Sequence, residues 1–200
     1  PIPRTLNLSL LGIRDLSIID TSPEGRQKIQ TEYIDNNKDL IRNIILTEVS
    51  REGQVFYIFN SVKRIEMKSK ELRELLPEYI KVDYIHGQML ARDIKRAIHN
   101  FENGNTDVLI ATTIIENGID IENANTMIIE GVEKLGLSQV YQLRGRIGRS
   151  NKKSYCYMLM NENKTKNAQK REESIREFDN LTGIDLSMED SKIRGVGEIL

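Results

Sequence analysis

The chain has 200 residues, 38% hydrophobic and 30% charged, a composition suited to a globular protein that buries one core. Its 29 Lys and Arg offset 30 Asp and Glu to a net charge of −1, which excludes a nucleic-acid argument from overall charge. A DNA partner has to be argued from local clusters instead. In chain order, strands are expected at 17–21 and 27–34, followed by a helix over 38–51 with Asn36 and Asn37 as cap candidates. That helix carries Leu40, Ile41, Ile44, Ile45 and Glu48 at helical spacing. A strand at 54–60 contains the unbroken apolar run Val55-Phe56-Tyr57-Ile58-Phe59. A helix over 62–76 starts after Ser61 and stops before Pro77. Next come a strand at 82–86 and a helix over 91–103, with Ile94, Ala97, Ile98 and Phe101 on one stripe and Gly104 ending it.

Strands at 107–112, 126–130 and 154–160 complete the set. Runs such as Val108-Leu109-Ile110-Ala111 are apolar throughout, as strands covered by helices on both faces are. The alternation predicts an α/β fold with a doubly wound, mainly parallel sheet, whose ligands sit at the carboxyl ends of strands. The loops after Asn60, His86, Thr112 and Glu130 are therefore the places to look. The single cysteine, Cys156, falls within the apolar run 155–160; a lone buried thiol rules out a disulfide framework and fits a reducing cytoplasm. Beyond 160 the texture changes: 161–167 reads as a polar linker, 168–180 as a charged helix marked by Ile175 and Phe178, and 187–193 as a shorter segment after Gly183. No run approaches the roughly 18 apolar residues of a membrane helix, and no charged-then-apolar leader opens the chain. The chain begins at Pro1 and stops at Leu200 in mid-pattern, so both ends are expected to be cut from something longer.

The strongest chemical signal is Gln142-Leu143-Arg144-Gly145-Arg146-Ile147-Gly148-Arg149. Residues 142–153 hold five basic side chains and no acidic one. Arginine's planar, permanently charged fork suits phosphate oxygens, and glycine lets backbone approach a ligand. On a helical turn Arg146 and Arg149 would reach the same side. A solvated basic turn is the plainer alternative, but the added Gln and Gly positions argue against it. The second signal is Ala111-Thr112-Thr113-Ile114-Ile115-Glu116-Asn117-Gly118-Ile119-Asp120, two hydroxyls at a strand end and then a Gly turn and an acid. Such a strand end can hold a phosphodiester backbone without reading sequence, though a Thr-capped helix start would look much the same. His86-Gly87-Gln88-Met89 closes another strand, and His99 reads as a surface residue. No Cys, His or carboxylate cluster stands at metal-ligand spacing. Neither a Gly-x-x-x-x-Gly-Lys-Ser/Thr loop nor an Asp-Glu pair ending an apolar strand is present. The chain offers arginines for a nucleotide without the parts that bind its phosphates and metal.

Taken in order, Pro1-Ile2-Pro3-Arg4-Thr5, the strand at 54–60, His86-Gly87-Gln88-Met89, the segment 112–120 and the segment 142–149 resemble the motifs of superfamily-two helicases and translocases. The first block is similar to the end of the first RecA-like lobe, the others to motifs of the second. Gly12-Ile13-Arg14-Asp15-Leu16-Ser17-Ile18-Ile19, Gly53-Gln54-Val55-Phe56-Tyr57, Asn123-Ala124-Asn125-Thr126 and Leu137-Ser138-Gln139-Val140-Tyr141 resemble the family of bacterial transcription-repair coupling factors more than the RecG helicases. Arg171 and the segment 185–197, with Arg194-Gly195-Val196-Gly197, resemble the helical hairpin that couples hydrolysis to translocation in both. Asn117 departs from the pattern, standing where Thr is usual.

The resemblance implies residues 1–16 as the tail of a first lobe, 17–160 as a second RecA-like lobe, and 161–200 as a truncated translocation hairpin. ATP with Mg2+ would lie between two lobes, with the absent one supplying phosphate loop and metal ligands. Arg146 and Arg149 would be the catalytic pair, and Gly118, Asp120 and Gln142 would join them around the nucleotide. Gly87, Thr112 and Thr113 would grip double-stranded DNA on the other rim, while Arg171 and Arg194 relayed lobe motion. The whole protein would be a bacterial, cytoplasmic ATP-driven DNA translocase that displaces stalled RNA polymerase and couples transcription to excision repair, meeting the polymerase and repair proteins through other domains. The chain alone would be inactive. The alternatives are a RecG-like branch-migration lobe and a non-catalytic α/β module that binds a phosphorylated partner. A dinucleotide-binding dehydrogenase is disfavoured, since no Gly-x-Gly-x-x-Gly follows a strand.

Overall fold

Five consecutive apolar residues, Val55 to Phe59, cannot all be buried on one face of a strand, because successive side chains point to opposite sides. In the computed structural model, which describes residues 29–117 and 121–160, every one of them is buried, and both faces of the strand are covered. This strand, β2 (Gln54–Phe59), is interior to a six-stranded sheet with β1 (Gln30–Asp35), β3 (Val82–Ile85), β4 (Val108–Ala111), β5 (Ala124–Glu130) and β6 (Tyr155–Met160). The order across the sheet is β1-β6-β5-β2-β4-β3, and every neighbouring pair is parallel.

Helices α1 (Lys38–Ser50) and α2 (Ile65–Leu75) cover one face. Ile41, Ile45, Ile65 and Leu72 pack there with Val55, Tyr57 and Phe59. Helices α3 (Ala91–Glu102) and α4 (Leu137–Arg144) cover the other, bringing Ala97, Phe101, Val140 and Leu143 against Phe56 and Ile58. The doubly wound reading therefore holds. Local signals act as expected: the Asn37 side chain accepts from the backbone N–H groups of Asp39 and Leu40, capping α1. Leu76 turns extended before Pro77, and Gly104 takes a φ of +73° after α3.

Three differences stand out. The first turn of the second helix is a 3-10 turn, Val62–Arg64, so the α-helix begins at Ile65. Strand β5 begins at Ala124 and not at 126, which draws Asn125 into the sheet. An eight-residue helix, α4, stands where only a basic motif was expected. The expected strand at 17–21, the segments at 161–167, 168–180 and 187–193, and the flanking motifs at 1–5, 12–19 and 185–197 lie outside the described residues.

Candidate functional site

The parallel sheet has two distinct ends, and the candidate residues divide between them. At the carboxyl end, Ile85 of β3 and Ile58 of β2 both pair with Ala111 of β4. The next residues along β3 and β4 are His86 and Thr112, and the Thr112 N–H donates to the Ile85 carbonyl at 3.3 Å. Gly87 follows and is exposed; a Cβ there would stand 4.0 Å from Ile114 Cδ1, so the two loops touch. Thr113 opens a 3-10 turn, Thr113–Asn117, and is half-buried. Thr112 is only 6% exposed, so a phosphate arriving here meets Thr113 and Gly87 first. His86 stacks on Tyr84 with centroids 6.2 Å apart, and its Nδ1 accepts from the Gln88 N–H at 3.3 Å. His99 is exposed, as expected.

The arginine motif lies toward the other end. Helix α4 packs against the 3-10 turn Thr113–Asn117 and carries the exposed Gln142. It ends at Arg144, whose Nη1 donates to Thr31 Oγ1 near the start of β1. The Arg144 guanidinium also lies 5.7 Å from the Tyr141 ring centroid. After α4 the chain turns sharply. Arg146 and Arg149 were expected three apart on a helical turn, but Gly148 between them has φ +77° and the helix is already over. The Gly148 backbone lies close to Ile29 and to Ser154, which precede β1 and β6. A Cβ at 148 would come within 3.2 Å of Ile29 Cγ1, so both conformation and space favour glycine. Arg146 and Arg149 are half-buried, and the Nε of each is shut away from solvent. The rule that ligands meet carboxyl ends thus locates the hydroxyl group but not the arginines.

The basic cluster is also less uniform than its sequence. Lys152 Nζ donates to the carbonyls of Arg51 at 3.0 Å and Glu52 at 2.9 Å, and to Asn123 Oδ1 at 3.4 Å. It is a clamp on neighbouring loops. Asn125 and Ser150, joined by a hydrogen bond at 2.5 Å, fasten the end of the arginine turn to β5, a contact the sequence reading did not anticipate. The available signal was a polar residue at the threshold of an apolar strand. Gly118, Asp120, Arg171 and Arg194 lie outside the described residues. Among the described residues no three His, Cys, Asp or Glu side chains converge as metal ligands.

An all-parallel, doubly wound sheet of this kind is the fold of RecA-like helicase lobes. The sequence profile of the helicase conserved C-terminal domain matches residues 35–151, and the chain belongs to that family. Over its whole length it is 47% identical to the transcription-repair-coupling factor of Staphylococcus haemolyticus and 46% identical to that of Staphylococcus aureus. It spans 17% of the length of each of these curated relatives. Among solved structures it is similar to RecG bound to a three-way DNA junction, with a TM-score of 0.79 and 34% identity over 99% of this chain and 26% of that one. A likeness to S. cerevisiae Dbp5 bound to RNA and ADP BeF3 is one of fold alone, at TM-score 0.59 and 18% identity over 96% of this chain and 51% of that one.

Proposed function

We propose that this chain is the second motor lobe of an ATP-driven double-stranded DNA translocase of the transcription-repair coupling kind, working in the bacterial cytoplasm. Residues 1–16 end the first lobe, 17–160 form the second, and 161–200 belong to a translocation hairpin in which Arg171 and Arg194 relay motion. The observation that carries this reading is the division of the candidate residues between two ends of one continuous parallel sheet. The arginine turn at one end meets a triphosphate anchored, with its magnesium, mainly by the first lobe. Thr113 and the Gly87 backbone at the other end hold phosphodiester oxygens, with Thr112 buried beneath them. A sheet packed on both faces moves as a unit, so closing the arginine end on nucleotide displaces the DNA end.

Arg146 and Arg149 neutralise the charge that spreads over the transferred phosphoryl group, an effect worth roughly 10³–10⁵ in rate for such arginines generally. Gly118, Asp120 and Gln142 complete the nucleotide's surroundings. Grip on phosphates makes DNA binding indifferent to sequence and steeply salt-dependent. In the full-length protein, Arg149→Ala is expected to cut DNA-stimulated ATP hydrolysis by about 10³ while nucleotide binding survives. Near-normal turnover by that variant rules the arginine role out. The likeness to RecG supports a second reading, branch migration at DNA junctions. Junction remodelling by the full-length protein, with no release of a stalled RNA polymerase, selects it.

A further inference from the structure

The chain returns from the arginine turn to β6 through residues 150–154, and that return is fastened to the start of β5 and to the loops at 51–52 and 123. The Ser150 hydroxyl donates to Asn125 Oδ1 at 2.5 Å. Asn125 is fully buried near the start of β5, and its Nδ2 donates to the Asn123 carbonyl at 3.0 Å. Both ends of that amide are engaged, so its orientation is held. Two residues on, Lys152 directs its ammonium at the Arg51 and Glu52 carbonyls and Asn123 Oδ1. An ammonium has three donors, and these three oxygens occupy them. Arg51 Nη2 in turn donates to the Lys153 carbonyl at 2.7 Å, and Asn123 Nδ2 to the Glu52 carbonyl at 2.9 Å.

A long guanidinium reaches a defined point only if the backbone beneath it is held on both sides. Upstream, the Gly145 N–H bonds to the Tyr141 carbonyl and the Arg146 N–H to that of Leu143, while Ile147 is buried. Downstream, Ser150 is the residue adjoining Arg149, and its hydroxyl ties it into the core through the buried Asn125. We propose that Asn125, acting through Ser150, and Lys152 are positioning residues that set the reach of Arg149. This inference rests on the role proposed above for Arg149 in ATP hydrolysis. Neither Asn125 nor Lys152 touches the nucleotide; each holds the turn.

The test uses the full-length protein with saturating double-stranded DNA, reading kcat and KM for ATP and the thermal midpoint of each variant. Ser150→Ala is expected to lower kcat about tenfold and leave KM within about twofold, since small displacements of a catalytic group cost rate more than binding. Ser150→Thr keeps the hydroxyl and restores kcat to within about twofold of the parent. The Asn125→Ala, Ser150→Ala double variant is no slower than Asn125→Ala alone, because both changes break one bond. If Asn125→Ala does not fold, the Ser150 pair carries the test by itself. Lys152→Met lowers kcat at constant KM; a raised KM with unchanged kcat makes Lys152 a phosphate ligand and overturns the clamp. Arg149→Ala is measured alongside. Should it abolish turnover while Ser150→Ala keeps full kcat, or Ser150→Thr prove as slow as Ser150→Ala, positioning is overturned and the arginine assignment stands. Should Arg149→Ala turn over normally, both are overturned.

Discussion

Glu48 is 1% exposed, on the inner side of α1, and is matched by partners that hold it there. Its Oε2 accepts from Arg51 Nη2 at 2.5 Å and from the Thr126 hydroxyl. Gly53 makes room for it: a Cβ at 53 would stand 1.6 Å from Glu48 Oε1. Gly53→Ala is therefore expected to drive the carboxylate off its partners and destabilise the chain by about 2 kcal/mol or more. A thermal midpoint within one degree of the parent contradicts this. In the sequence Glu48 was legible only as part of an apolar stripe, because spacing reveals which face is buried and not what satisfies a charge placed on it. Lys152 shows the same limit. Counting it with Arg146 and Arg149 as a basic cluster was reasonable from charge, yet the acceptors that use its ammonium lie 100 and more residues earlier, at Arg51 and Glu52.

An ion-pair chain ties α1, α2 and β5 together at the scale of elements. Lys38 of α1 pairs with Glu71 of α2 at 3.1 Å, Glu71 with Lys68 at 3.0 Å, and Lys68 with Glu130 at 3.1 Å. The chain ends in the buried Tyr57, whose hydroxyl donates to Glu130 at 2.6 Å. Burial, reinforced by the Glu130 charge, pushes the Tyr57 phenol far above its usual range, so it stays a donor. Burial acts to raise the Glu71 carboxyl, but hydrogen bonds from Lys68 and Lys38 outweigh it and hold the group below its ordinary 4.5. A depressed carboxyl stabilises the fold above its unfolded value and loses that contribution as pH falls through its folded one. The thermal midpoints of the parent and Glu71→Gln should thus differ above the ordinary 4.5 and draw together as pH falls below it. A constant gap across that window contradicts the pairing. The elements themselves were largely readable: β2 and β4 from unbroken apolar runs, α1 and α3 from their stripes and caps. Helix α4 was not, since eight residues with Val140 and Leu143 as buried anchors give too little period to see among Gly136, Gly145 and Gly148.

Across the described residues, the six-stranded sheet sets the two groups of candidate residues at opposite ends. The arginine turn stands by the amino ends of β1 and β6, and the hydroxyl and glycine groups by the carboxyl ends of β3 and β4. The class of fold was open to sequence reading because parallel sheets need apolar strands. The two-ended layout came only from the family resemblance, which put Gly87, Thr112 and Thr113 on the other rim; apolar periodicity could not give it, because the helix α4 that leads to the arginine turn was unseen. In the proposed function the catalytic centre is divided: this lobe supplies arginines to a nucleotide that another lobe holds. Steady-state ATP turnover with saturating double-stranded DNA tests it most directly, measured on the 200-residue chain alone and on the full-length protein. A divided centre gives DNA-stimulated hydrolysis by the full-length protein and none by the chain. Turnover that co-purifies with the isolated chain contradicts it.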